Sequence, residues 1–227
     1  MRPKICVPIM ERNVERTIRV LRQLDAHRPD LVEIRFDLMK PFSTISEIRD
    51  ATHRPLIATN RRGDQGGLFS GTEQERLATL ILAARESFDY IDIELKTKDV
   101  NRMVRQVKQH GRKVIVSYHN EDFTPPQNVL ESILNRERKA GADICKIVGT
   151  AISYNDSLRC LTFVSRHALR SKLVCFAMGK LGVPSRILSP IFGAYFTFAS
   201  YSPDHETAAG QLPIESLRNL YRELGVT

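Results

Sequence analysis

Two residues, one inside an apolar run and one at the end of another, carry the most chemical information in this chain. Lys146 lies within Gly-Ala-Asp-Ile-Cys-Lys-Ile-Val-Gly (141–149), a run bounded by glycines that reads as a buried strand. Lysine is rarely buried without compensation. Removal from water disfavours its charged form, and the neutral amine that results attacks ketones and aldehydes to give a Schiff base. The alternative is a strand-end lysine whose ammonium reaches water along its own stem. His119 ends Val-Ile-Val-Ser-Tyr-His (114–119), one strand–helix unit before Lys146. Adjacent strands would place the two at the same height. There a neutral imidazole can act as general base and then as general acid beside a Schiff-base lysine. A lone strand-end histidine is otherwise a structural one, and it is the placement beside Lys146 that points to chemistry.

Other charged residues fall at strand ends. In Glu33-Ile34-Arg35-Phe36-Asp37, alternation puts Glu33, Arg35 and Asp37 on one side. Charges in a buried strand must be paired, Glu33 with Arg35 or with a neighbouring basic group, and a purely structural ion-pair layer is the competing reading. Arg61 and Arg186 follow later strands as basic groups for an anion, and Arg186 could grip a carboxylate through its two-pronged guanidinium. The other histidines compete poorly. His27, His110 and His167 lie in or after helices, His53 precedes a strand, and His205 lies in a late loop within reach of a substrate. No acidic or Cys/His cluster has metal-ligand spacing, and no phosphate-cradling motif occurs.

The elements that must position these residues repeat a strand–helix unit. Strands are expected at Lys4–Ile9, Leu31–Phe36, Pro55–Thr59, Tyr90–Leu95, Lys113–Tyr118, Asp143–Val148, Lys172–Met178 and Ala194–Ala199. Between them, Asn13–Leu24, Glu73–Ser87, Val129–Lys139 and Ser157–Ser171 carry apolar residues at helical steps. Eight units in 227 residues predict a compact single-domain (β/α)8 TIM barrel spanning 1–227. An open doubly wound sheet is the runner-up, but no Gly-x-Gly-x-x-Gly follows any strand. In a barrel the loops after strands form the active face. The glycine-rich stretch 61–72 is expected there as a long mobile loop, and the polar stretch 200–211 as a second one.

Composition narrows the function classes. A hydrophobic content of 42% suits a globular chain with a real core. No apolar run reaches the ~18–20 residues of a membrane span, and no secretory core follows the N-terminus. The expected location is cytoplasmic. Cys6, Cys145, Cys160 and Cys175 lack Cys-x-x-Cys spacing and read as buried thiols. The net charge of +8 is spread among acids without an aromatic-interleaved basic tract, which argues against nucleic acid and for a surface mildly favouring anions.

The chain resembles the type I 3-dehydroquinate dehydratases, Schiff-base lyases of the shikimate pathway. The resemblance rests on Val-Glu-Ile-Arg-Phe-Asp (32–37), Thr-Asn-Arg (59–61) leading to Gly66-Gly67, Tyr-Ile-Asp-Ile-Glu-Leu (90–95) and Ser-Tyr-His-Asn (117–120). It continues through Ala-Asp-Ile-Cys-Lys-Ile (142–147), Met178-Gly-Lys-Leu-Gly, Ser185-Arg186 and Ala209-Gly210-Gln211. Each motif is weak alone, and their order and spacing together are specific. The resemblance implies that Lys146 forms the Schiff base and His119 moves protons. Glu33, Arg35, Arg61, Arg186, Thr207 and Gln211 become substrate-binding residues, Arg186 gripping the carboxylate. Gln65 becomes a lid residue and Met178 an apolar wall. It further implies 3-dehydroquinate as substrate, syn loss of water to 3-dehydroshikimate, no cofactor or metal, and a homodimer. Two departures stand out. Gln65 replaces a glutamate found in some members, and Pro8 replaces a substrate-touching serine. The rival readings are a class I aldolase, which would usually carry a phosphate site after strands seven and eight, and a barrel-shaped binding protein with a structural lysine.

Overall fold

The computed structural model describes residues 2–39 and 45–226. Its strands are β1 (Ile5–Ile9), β2 (Leu31–Arg35), β3 (Leu56–Thr59), β4 (Tyr90–Glu94), β5 (Lys113–His119), β6 (Ile144–Thr150), β7 (Leu173–Met178) and β8 (Thr197–Phe198). Each strand is followed by one helix: α1 (Val14–Leu24), α2 (Ile45–Asp50), α3 (Glu73–Arg85), α4 (Val100–Gln109), α5 (Gln127–Ala140), α6 (Tyr154–His167), α7 (Val183–Leu188) and α8 (Ile214–Glu223). Neighbouring strands run parallel in the order β7-β6-β5-β4-β3-β2-β1-β8. Across the remaining seam the Tyr195 amide donates to the Leu173 carbonyl at 2.8 Å. The sheet is thus nearly closed, and the fold is the expected (β/α)8 barrel.

Alternation along the strands sorts side chains into two packings. One set, including Val7, Ile34, Ala58, Ile93, Val116 and Ile147, packs outward with the helices. The other, including Cys6, Leu31, Ile57, Tyr90, Ile115, Ile144 and Val174, fills the barrel interior. Followed along each strand, this interior set changes character. Leu31 gives way to Glu33 and Arg35, Tyr90 to Asp92 and Glu94, Ile115 to Ser117 and His119, and Ile144 to Lys146. The barrel has an apolar floor and a charged upper half.

Several expectations need correction. The run Ala194–Ala199 yields only Thr197–Phe198 as strand. Its backbone changes partner midway: Tyr195 bonds towards β7, whereas Thr197 and Ala199 bond to Lys4 and Cys6 beside β1. The spacing that marks α1 also occurs in Val100, Met103, Val104 and Val107 of α4 and in Ile214, Leu217 and Tyr221 of α8, neither of which was expected. The six-residue α2 and α7 are too short to show a period. The α1 start is as expected, with the Asn13 side chain accepting from the Arg16 amide at 2.9 Å. Each of the four cysteines is a buried free thiol.

Candidate active site

Lys146 sits on the inward face of β6 with 4% of its surface exposed. Its compensation differs from the apolar setting inferred above. Nζ donates to Asp92 Oδ2 at 3.1 Å and lies 3.5 Å from Glu33 Oε1, with the Phe198 ring centroid at 4.7 Å. The lysine is held between two carboxylates over one aromatic face. Glu33 also accepts from Thr59 Oγ1 at 2.8 Å.

Asp92 anchors the arrangement. It accepts from Arg61 Nη2 at 2.8 Å and from Ser117 Oγ at 2.5 Å, besides Lys146. Burial opposes its charge, but Arg61, Lys146 and His119 hold it well below the usual carboxylate range. Arg61 is correspondingly committed. It bonds Asp92 and Ser117 and pairs with Glu94 at 3.4 Å. Glu94 in turn binds the fully buried Arg76 of α3 at 2.5 Å. Arg35 is not Glu33's partner either: it forms a two-pronged pair with Asp37, both bonds 2.7 Å. Arg61 thus directs both terminal nitrogens at protein partners, Asp92 and Glu94 of β4 and Ser117 of β5, while lining the cavity.

Arg186 differs from both. It projects from α7, is buried, and stacks with its Cζ 4.4 Å from the Phe176 ring centroid. Among the described residues its one hydrogen bond is to the Ala209 carbonyl at 3.3 Å, and Nε has none. Burial lowers its pKa to about 10, with only Glu206 opposing. A buried guanidinium with no ion pair among the described residues leaves a charge that an anion could compensate.

His119 ends β5. The strand register pairs Ser117 with Lys146 and His119 with Val148, so His119 stands one inward position above the lysine rather than level with it. Burial, aided by Arg61 and Lys146, pushes the imidazole well below its ordinary pKa, leaving it neutral near pH 7. Nδ1 is buried without a partner. The segments carrying the two residues are tied together. The Asn120 amide donates to Val148 O at 2.9 Å, Thr150 Oγ1 to Asn120 O at 3.1 Å, and Thr124 Oγ1 to Thr150 O at 3.0 Å. A Cβ at Gly149 would lie 2.7 Å from the Thr124 Cα, so only glycine permits so close an approach.

The loop 61–72 is folded over the site. It contains a 3-10 turn at Gly63–Gln65 and a capping box of Thr72 and Glu75 that starts α3. Gln65 is 2% exposed, and its Oε1 accepts from the His119 backbone amide at 3.1 Å. On the opposite rim, Gln211 Oε1 accepts from the Thr207 amide at 2.9 Å, and Gln211 Nε2 donates to Thr207 Oγ1 at 3.2 Å.

These groups surround one cavity of about 270 Å³ at the C-terminal face of the barrel. Its lining includes every residue to which the resemblance gave a site role: Lys146, His119, Glu33, Arg35, Arg61, Arg186, Thr207, Gln211, Gln65 and Met178. Pro8 and His205 line a neighbouring depression instead. Sequence reasoning missed Asp92 and Glu94, although acids alternating in an otherwise apolar strand are the signal that marked Glu33. Phe176 and Phe198 gave no signal, since wall aromatics look like any core residue. Among the described residues no group of His, Cys, Asp and Glu is placed to hold a metal ion.

The family described as type I 3-dehydroquinase matches residues 5–227. The 3-dehydroquinate dehydratase of Methanothermobacter thermautotrophicus is 36% identical over 227 residues, covering 99% of this chain and 98% of that protein. Among solved structures, the 3-dehydroquinate dehydratase of Geobacillus kaustophilus superposes with a TM-score of 0.92 at 26% identity, over 99% of this chain and 92% of that one. The type I enzyme of Clostridium difficile, with covalently modified comenic acid, gives 0.89 at 27% identity, over 98% and 92%.

Proposed function

Because the chain belongs to the type I 3-dehydroquinase family and is thereby a hydro-lyase of the shikimate pathway acting on 3-dehydroquinate, we propose that it works through a Schiff base on Lys146. The supporting observation is one cavity that combines a lysine between two carboxylates, a neutral histidine and an arginine lacking a counter-ion.

Arg186 binds the substrate carboxylate, with Thr207 and Gln211 on the same rim. This anchors the ring so that its C3 ketone meets Lys146. Attack requires the neutral amine, and Glu33 or His119 takes the ammonium proton. Asp92 is the poorer acceptor, since its neighbours hold it ionised. Loss of water from the carbinolamine gives an iminium, whose positive charge stays beside Asp92 and Glu33. The carboxylates thus stabilise the intermediate without reorganising. The iminium acidifies C2–H, because the electrons released delocalise into an enamine. His119 removes that proton. The enamine then expels the C1 hydroxyl, which leaves as water on taking the proton from His119. Hydrolysis of the imine frees 3-dehydroshikimate and Lys146. Phe176, Phe198 and Met178 form the apolar wall, and Gln65 helps to hold the lid.

Borohydride reduction in the presence of 3-dehydroquinate tests the reading. One stable adduct mapped to Lys146 is expected. Turnover without an adduct, or an adduct on Lys180, would refute it. The same reading carries a cytoplasmic homodimer, supported by the family resemblance and tested by sedimentation velocity. No helix among the described residues is long and apolar enough to cross a membrane.

A further inference from the structure

Once internal pairs are set aside, few charged groups on the cavity wall remain without a partner. Arg186 is the cation. Glu33, one of two acidic residues in the lining, is held by Lys146 and Thr59. The other is Glu121, two residues beyond His119 at the exposed mouth of the cavity. It makes no hydrogen bond or ion pair with any described residue. Its carboxylate lies against Gly66 of the loop 61–72, where a Cβ would overlap it; Gly66 also has a φ of +73°. Burial raises this carboxyl above its usual range, with Arg61 opposing. Gln65 does not compete for its role, since its Oε1 is engaged by the His119 backbone.

A ligand satisfying both unpartnered charges carries an anion at Arg186 and a hydrogen-bond donor at Glu121. A second anion near Glu121 would be repelled. 3-Dehydroquinate has a C1 carboxylate and ring hydroxyls at C4 and C5, and so supplies both kinds of group. We propose that Glu121 is a substrate-binding residue of this site, accepting a hydrogen bond from the C4 or C5 hydroxyl at the cavity mouth. This rests on the reading of the cavity as the dehydroquinate site. It makes Glu121 a determinant of selectivity for hydroxylated rings over bare ones, because an unpaired acceptor facing an apolar edge loses its water without replacement.

The test compares the parent enzyme with Glu121→Ala and Glu121→Gln on 3-dehydroquinate and on its 4-deoxy and 5-deoxy analogues. The readouts are kcat and KM, or an inhibition constant where an analogue is not turned over. Glu121→Ala is expected to lower kcat/KM for 3-dehydroquinate about 10- to 100-fold, the range for a hydrogen bond to a charged group. Glu121→Gln, which keeps an acceptor, falls between. With the analogue lacking the partner hydroxyl, the penalty of Glu121→Ala shrinks below about threefold. An equal penalty on all three compounds, or a Glu121→Ala enzyme within about twofold of the parent on 3-dehydroquinate, overturns the proposal. Borohydride trapping of the parent enzyme, run alongside, tests the Schiff-base reading independently of Glu121.

Discussion

Replacing Arg186 by methionine should make the empty protein more stable and the enzyme nearly unable to bind its substrate. Both effects follow from one fact: the guanidinium is buried and makes no ion pair with any described residue, Glu206 acting on it only from a distance. Burial lowers its pKa to about 10. That is more than two decades below the ordinary value, and at ~1.4 kcal/mol per decade the charged form is disfavoured by roughly 3 kcal/mol. This is an upper bound on what removal recovers, since the Ala209 hydrogen bond is lost too. Methionine keeps an apolar stem against Phe176. A net gain of about 1–2 kcal/mol would raise Tm by roughly 2–8 °C for a domain of this size. Binding moves the other way. Truncating one partner of a desolvated charge pair costs about 2–5 kcal/mol, or roughly 30- to several-thousand-fold in affinity. Differential scanning calorimetry without substrate, and equilibrium binding of 3-dehydroquinate to an Arg186→Met, Lys146→Ala double variant against Lys146→Ala, separate the two. Loss of stability together with binding within about threefold of the reference would mean that Arg186 is a structural residue, and the reasoning about the missing anion would be wrong.

Two further outcomes are expected. His119→Ala should still be trapped by borohydride on Lys146 but turn over at least ~10²-fold more slowly; the parent should lose kcat/KM only well below pH 6.5, as its imidazole gains a proton, and an acid limb unchanged in the variant would contradict the role. Glu137 of α5 is fully buried behind β6, and among the described residues neither carboxyl oxygen has a partner of good hydrogen-bond geometry. Burial raises its pKa well above the usual value, so the folded state binds its proton more tightly than the unfolded chain. Stability then declines as pH rises from the unfolded carboxyl pKa towards the folded one. Glu137→Gln should remove this slope, with its largest advantage in urea midpoint at the alkaline end; parallel stability profiles from pH 5 to 8 would contradict it.

The barrel was legible because strand and helix periods alternate so regularly. Lys146 was legible because lysine is rare inside an apolar strand, and His119 because it ends the strand one unit earlier. Partnerships were not. Whether Arg61 faces Asp92 or a ligand depends on strand register and stagger, which a single strand's pattern does not encode. Arg35, Arg61 and Arg186 look equivalent in the sequence, yet only the last lacks a counter-charge. The one-position offset of His119 above Lys146 has the same origin. Glu121 escaped notice because it lies past the strand's end, where alternation no longer applies. The eighth strand was overestimated because an apolar run reports burial, and Tyr195, half-buried, and Phe196, buried, do not join the ladder to β1.

The lacing between β5 and β6 bears on which kinetic quantities can vary. Asn120, Thr124 and Thr150 bind the segments around His119 and Lys146 to each other, and the missing side chain at Gly149 seats them in contact. The imidazole and the amine proposed to act on the substrate therefore belong to one mechanical body. The rim 61–72 joins that body through Gln65, which accepts from the His119 amide, and through Arg61, which bonds Asp92 and Ser117, whereas the rim 200–211 is tied to the end of β7 through the Ala209 carbonyl. Motions of the rim 200–211 would set how often a substrate enters and how long a product stays without stretching the gap between His119 and Lys146. Admission and chemistry can accordingly be tuned separately in this barrel. Variants within 200–211 would alter commitment to catalysis while leaving the intrinsic hydrogen isotope effect at C2 unchanged.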